Sequence, residues 1–472
     1  SPAMLGLDTV DLARLQFATT VMYHIIFLAL SIGLATYLAF LEGMWLKTGN
    51  RIYLGIYHYW LPHFAVNYAA GVVSGVIMAF EFGTNWSVFS SKAGGISGVL
   101  LTYEVVTAFF LEAGFFGIMM FGEGRVSRKV HYFATCMVAL GAYISTFWIL
   151  ASNSWMQTPA GYAFENGRII PEDWWEVIFN PSQPFRFVHM SLAALIATAF
   201  VVAGVAAWHL YRNHQDAVAR RMFSMALWML TFIVPLQIVA GDVHGLNTLE
   251  HQPAKVAAME AYWKNEPERE GMPMVVLAWP DPHLEKNLFS LEIPRLSSLY
   301  LTHSLTDKIQ GLEQWAEDER PYVPLVFYAF RLMVYLGFAM LGLVALSLWM
   351  RKRKQLYESR WFLILMMLAT PIGVVAIEAG WVTTEAGRQP WIIYGLLRTA
   401  DGVSPFSVAT LVTSLVGLWG IYTLIFFIGA YFFVKLVRPT PESILSDKED
   451  YDEAHEQSLP RHPFSRRSHR NP

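Results

Sequence analysis

The 472-residue sequence contains one cysteine, Cys136. A lone cysteine excludes an internal disulfide framework, a thiolate-bound zinc cluster and a CxxCH attachment motif. Any heme carried by this chain is therefore non-covalent, held by His, Met or a carboxylate. Charge is scarce as well. Asp, Glu, Lys and Arg make up 15% of residues, against about 25% in soluble domains. The formal net charge of −3 gives no basis for binding nucleic acid. No simple repeat is visible. No cleavable signal peptide is evident, because the first apolar run starts too late and is too long; Ser1 to Met4 read as a processing scar.

What the chain has in abundance is apolar surface. Hydrophobic residues make up 54% and aromatics 15%, and the mean hydropathy is +0.36. A membrane span needs roughly 20 mostly apolar residues. Nine stretches qualify: 19–45, 58–82, 94–122, 131–155, 186–211, 222–241, 324–350, 360–385 and 411–437. The expected fold is all-α, a polytopic membrane protein with nine transmembrane helices. Its organisation reads as six spans over 1–241, an external polar, acidic, Pro-containing loop over 242–322, three spans over 323–438, and a charged, disordered tail over 439–472. Lys and Arg concentrate in alternate loops, at Lys47 and Arg51, at Arg125, Arg128 and Lys129, at Arg212, Arg220 and Arg221, and at 351–354. Positive loops stay inside, which puts the N-terminus outside, the C-terminus inside and 242–322 outside.

Ionisable residues within spans are costly and default to functional hypotheses. At about 1.5 Å per residue, His24, His189, Met333 and Glu378 fall at similar depth in the outer halves of four different spans. Each has a bland reading. A membrane His is often a packing or hydrogen-bonding residue, a Met is core filler, and a Glu is a proton relay or helix glue. Their convergence favours iron. A His and Met pair gives a closed, electron-transferring heme, whereas a heme held on one side keeps a face open for a gas. Glu104 and Glu112 are spaced for one face of a helix and can carry protons inward. Arg331 lies two residues before Met333.

These residues sit in recognisable runs: Arg14-Leu15-Gln16-Phe17 with Tyr23-His24, Phe82-Gly83-Thr84-Asn85-Trp86, Phe109-Phe110-Leu111-Glu112, Trp155-Met156-Gln157, Phe187-Val188-His189, Gly241-Asp242, Phe330-Arg331-Leu332-Met333, Glu378-Ala379-Gly380-Trp381 and Gly387-Arg388-Gln389-Pro390-Trp391. In this order and on these spans, they resemble subunit I of the cytochrome bd-type quinol oxidases, over nearly all of the spans. The resemblance implies that His189 and Met333 are the axial pair of a low-spin heme b. It implies that His24 and Glu378 are the single protein ligands of two high-spin hemes, a heme b and a heme d, in unassigned order. Glu104 matches the carboxylate beside the oxygen-reducing heme, and Glu112 matches the inner proton-path acid. Arg331 is expected beside the low-spin heme, where a cation raises the potential. Arg388 is expected to neutralise heme propionates, or else to be a plain surface arginine.

The resemblance further implies that the 242–322 loop binds quinol, with ubiquinol expected, through Lys255 and Glu260. Read without it, both are ordinary solvated charges. On a helix they stand about 140° apart, so they line a cleft more readily than they bond each other. Asp242 is expected to shape the start of the loop. The loop is short, like that of a branch that includes cyanide-insensitive oxidases, and heme d is then replaceable by a third heme b. Val374 occupies a position where many members carry Trp, an inter-heme stepping aromatic. The implied activity is quinol oxidation at the outer face and reduction of O2 to water with cytoplasmic protons, building a proton-motive force without pumping. The implied setting is the bacterial inner membrane, with a second membrane subunit and small single-span ones. A heme-copper oxidase is excluded by the absence of clustered His and an HPEVY-type run. The rival readings are a membrane multiheme cytochrome that does not reduce oxygen and a proton-coupled transporter.

Overall fold

The computed structural model describes residues 8–445 and 452–456. Among them, nine helices are long and apolar enough to cross a membrane. They are α1 (Thr9–Thr48), α2 (Arg51–Thr84), α3 (Ser97–Phe121), α4 (Arg128–Gln157), α5 (Gln183–Arg212), α6 (Ala217–His251), α7 (Val323–Lys352), α8 (Arg360–Arg388) and α9 (Val408–Val437). Short polar caps start several of them. Asp8 accepts from Asp11 N, Ser127 from Val130 N, Asp216 from Ala219 N and Ser407 from Thr410 N, which satisfies N–H groups that the first turn leaves free.

Small residues let the helices approach. A Cβ on Gly33 of α1 would meet Thr198 of α5 at 1.8 Å, and one on Gly373 of α8 would meet the Ala197 backbone at 2.5 Å. Helix α5 is thus the central post of the bundle, with Ala194, Ala197, Ala203 and Ala206 fully buried. Close backbone packing of this kind holds helices together where lipid removes the hydrophobic drive.

Four expectations need correction. Helix α1 begins at Thr9, well before residue 19, because Asp8 caps it there; His24 therefore lies about 22 Å along the helix, not just inside its start. Helix α6 runs on to His251, so Asp242 and His244 are helical and the polar connection begins after them. Asn247 is held there by a bond to Pro181 O. The fold is mostly helical but not all-α: three antiparallel hairpins occur, β1 (Tyr162–Glu165) with β2 (Arg168–Pro171), β3 (Met274–Asp281) with β4 (Lys286–Ile293), and β5 (Trp391–Ile393) with β6 (Leu397–Arg398). All three lie between spans. Finally, α3 is not a regular α-helix, since Glu104–Phe109 form a π segment.

Of the expected disordered tail, Pro441–Ile444 form a 3-10 turn and 452–456 are helical. Glu442 N donates to Asp216 Oδ2. Positions 446–451 and 457–472, and Ser1 to Met4, lie outside the described residues.

Candidate functional site

His189 and Met333 project from α5 and α7 at the end of the bundle that carries the 252–322 connection. Each faces a glycine on a neighbouring helix. A Cβ on Gly241 would stand 3.1 Å from His189 Cε1, and one on Gly380 would stand 2.9 Å from Met333 Sδ. Any side chain at either glycine would push against the ligand-type atom. His189 Nδ1 and Gln237 Oε1 are buried and complete no hydrogen bond. The imidazole of His244 lies beside His189, with ring centroids 5.6 Å apart, and its Nδ1 is likewise buried without a partner. Sequence reading passed over His244, because it placed that residue in a solvated loop.

Glu378 on α8 has a buried carboxylate oxygen, Oε1, with no donor. His24 on α1 is better satisfied. Its Nδ1 lies 2.9 Å from Ser74 Oγ, which is also within hydrogen-bond distance of Ala70 O at 3.0 Å and Gly71 O at 3.2 Å. A partner at Nδ1 orients the ring, as second-shell bonds do for metal-ligating histidines. His24 faces an apolar cavity lined by Phe17, Met78, Phe82, Leu101 and Trp381, with Glu385 at its edge.

Next to these positions lies a buried cationic cluster. Arg388 is 5% exposed, not the surface arginine of the plain reading, and its Nη2 pairs with Glu385 Oε2 at 2.6 Å. Its Nε and Nη1 have no partner. Arg186, also buried, donates to Ser154 Oγ at 3.0 Å and lies over Trp381. Asn153 Nδ2 donates to the other Glu385 oxygen at 2.9 Å. Buried guanidinium groups with bare N–H are costly, and carboxylates are their natural complement.

The structure sends Lys255 and Glu260 to different partners. Lys255 is buried, and its Nζ donates to Gln157 Oε1 at 2.6 Å, an oxygen that Gln252 Nε2 shares at 2.8 Å. Its stem crosses Gly387, where a Cβ would meet Lys255 Cγ at 2.6 Å. Burial drives the Lys255 ammonium well below its ordinary pKa; Arg186 and Arg388 push the same way and Glu385 opposes. Glu260 caps the short helix Pro253–Met259. Its Oε2 accepts from Arg331 Nη2 at 2.7 Å, Tyr300 OH at 2.7 Å and Ser297 Oγ at 3.0 Å. Gln252 and Glu385 escaped the sequence reading, and Gln157 stood in the Trp155-Met156-Gln157 run without a role, because contacts so distant in the chain leave no local pattern.

Glu104 and Glu112 both face α4. Ser145 Oγ donates to Glu104 Oε1 at 2.5 Å, and Glu112 packs against Gly141, where a Cβ would stand 3.0 Å from Glu112 Cβ. The shared face survives the π segment, a feature that often marks functional sites. Val374 packs with Ile377 and Trp381 in an apolar cluster.

The donor set fits heme iron. The bare Glu378 oxygen, the His24 ring oriented by Ser74 and the partnerless Arg388 N–H groups suit axial ligands and propionate contacts.

Comparisons with known proteins identify the family. The family model for cytochrome bd terminal oxidase subunit I matches residues 12–441. The chain is 32% identical to the cytochrome bd-II ubiquinol oxidase subunit 1 of Escherichia coli, over 93% of this chain and 98% of that one. It is 32% identical to the cytochrome bd ubiquinol oxidase subunit 1 of Bacillus subtilis, over 96% and 97%. The solved bd oxidase of Geobacillus thermodenitrificans superposes with a TM-score of 0.85 at 28% identity, covering 91% of this chain and 98% of that one. The chain therefore belongs to the cytochrome bd oxidase subunit I family, and is a multipass subunit of a heme-containing terminal quinol oxidase in the bacterial inner membrane.

Proposed function

We propose that this subunit oxidises quinol at the outer face of the membrane and supplies the ligands at which O2 is reduced to water. The observation that carries this reading is the bare, buried Oε1 of Glu378. Buried polar atoms are normally partnered, and iron is a partner that a carboxylate oxygen inside a span can take. His189 and Met333 would hold a low-spin heme b. His24 and Glu378 would hold the two high-spin hemes, a heme b and a heme d or third heme b. When bound, the hemes accept electrons from quinol and deliver them to oxygen.

The chain's own residues handle protons and position. Quinol docks at the 252–322 connection, where Lys255 orients a quinol oxygen. Three donors land on Glu260 Oε2, which leaves Oε1 as the atom that takes a hydroxyl proton. Arg331 holds that carboxylate in place. Arg388 and Arg186 receive propionates. On the other side of the site, Glu112 and then Glu104 carry protons from the cytoplasm, with Ser145 holding Glu104 toward α4. Lys and Arg in the opposite loops orient the chain this way, so electrons and protons reach oxygen from opposite faces and a proton-motive force builds without pumping. The names of the relatives as subunit 1 support a second subunit as partner; small single-span subunits complete the proposed assembly.

Ubiquinol-driven oxygen uptake by the purified complex, measured alongside pyridine hemochrome analysis, tests this reading. Uptake with b-type heme, with or without heme d, is the expected result. Absence of heme, or heme without quinol-driven uptake, sinks it.

A further inference from the structure

The β3–β4 hairpin is amphipathic in an unusual way. Strand alternation places Leu277 and Trp279 of β3 with Phe289, Leu291 and Ile293 of β4 on one face, and Leu277 pairs directly with Leu291. These five are all about half exposed, from 46% at Ile293 to 62% at Leu291. Val275 and Ala278 are buried against the core that holds Val256, Trp263 and Phe327. The charges lie elsewhere. Glu292 is paired with Arg269 at 2.5 Å, and Asp281 and Glu285 sit at the turn, where Glu285 pairs with Arg320.

The hairpin also lies against a membrane span. Arg331 Nε of α7 donates to Val275 O at 2.8 Å, Tyr335 OH donates to Val276 O and Tyr328 OH donates to Ala278 O. Three carbonyls of β3 are therefore satisfied by side chains of α7, from positions well inside its apolar stretch. A strand outside a barrel is tolerated next to hydrocarbon only when protein groups satisfy its backbone. On the same stretch of α7, Leu325, Leu332 and Phe338 are exposed as well.

From this juxtaposition we infer that the Leu277–Trp279–Phe289–Leu291–Ile293 face is seated in the lipid interface, as a wedge that fixes the 252–322 connection to the bilayer. Lipid is the occupant because three side chains of a membrane span hold the hairpin, and because the face carries no charge and includes Trp279, a residue type favoured at the interface. A contiguous exposed patch of this kind on a water-facing loop would be an aggregation liability.

The test places a nitroxide at Phe289→Cys or Leu291→Cys in a Cys136→Ala background, with the whole complex in phosphatidylcholine vesicles. Both side chains are exposed, so labelling removes little packing. Power saturation with oxygen and with a water-soluble nickel chelate reads depth. The oxygen-to-nickel accessibility ratio should be severalfold higher at 289 and 291 than at His283→Cys on the hairpin turn. Nickel access at 289 and 291 equal to that at 283 would overturn the inference in favour of water. Exclusion of both reagents would overturn it in favour of a protein partner.

Discussion

Arg331 Nη2 and Glu260 Oε2 form a 2.7 Å ion pair whose side chains are 4% and 1% exposed. It ties α7, two residues from Met333, to the quinol-side connection. Removing one partner of a buried pair leaves an uncompensated charge and costs about 3–5 kcal/mol. Arg331→Met or Glu260→Gln should each lower the thermal midpoint of the complex by several degrees. The double variant should lose less than the sum of the singles. Additive losses would mean that the two residues are not coupled.

The glycines opposite the axial candidates offer a sharper test. Gly241→Ala and Gly380→Ala should weaken or shift the low-spin band in reduced-minus-oxidised spectra, because their methyls would press on His189 and Met333. Gly337→Ala on α7 meets nothing within 4 Å and should leave the band unchanged.

Ser74 Oγ lies 2.9 Å from His24 Nδ1 and orients the ring. Loss of a second-shell partner typically costs about 10–100-fold in metal affinity. Ser74→Ala should therefore reduce high-spin heme occupancy, read in the carbon monoxide difference spectrum, while the low-spin band stays. An unchanged carbon monoxide spectrum would remove Ser74 from this role.

Lys255 gives a prediction in which activity and stability part. Its pKa is lowered in the folded state, so the unfolded chain binds that proton more tightly. Stability from this group therefore rises as pH climbs from the depressed folded value toward the ordinary lysine value of about 10.4. Lys255→Met removes the buried amine and should flatten that rise, with no loss of thermal stability near neutral pH. Quinol turnover should still fall roughly tenfold, equivalent to about 1.4 kcal/mol of transition-state binding.

Much of this was legible in the sequence because the membrane imposes a simple code. Apolar runs gave the spans, and His24, His189, Met333 and Glu378 stood out as polar or ligand-type groups within them, although His24 lies farther along its helix than its run suggested. The misreadings have physical causes. Residues 242–251 are polar yet helical, since protein contacts such as Asn247 to Pro181 replace lipid. The β3–β4 hairpin was hidden in a segment read only for its charge. The cluster of Arg186, Gln157, Gln252 and Glu385 around Lys255 joins three spans and a loop, which no local spacing announces.

The most direct test of the central claim is the reduced-minus-oxidised spectrum of the complex carrying Met333→Ala, with His189→Ala as its companion. The account predicts that the low-spin heme band disappears in both while bound subunit remains in the membrane. Retention of that band at full amplitude in either variant would contradict it.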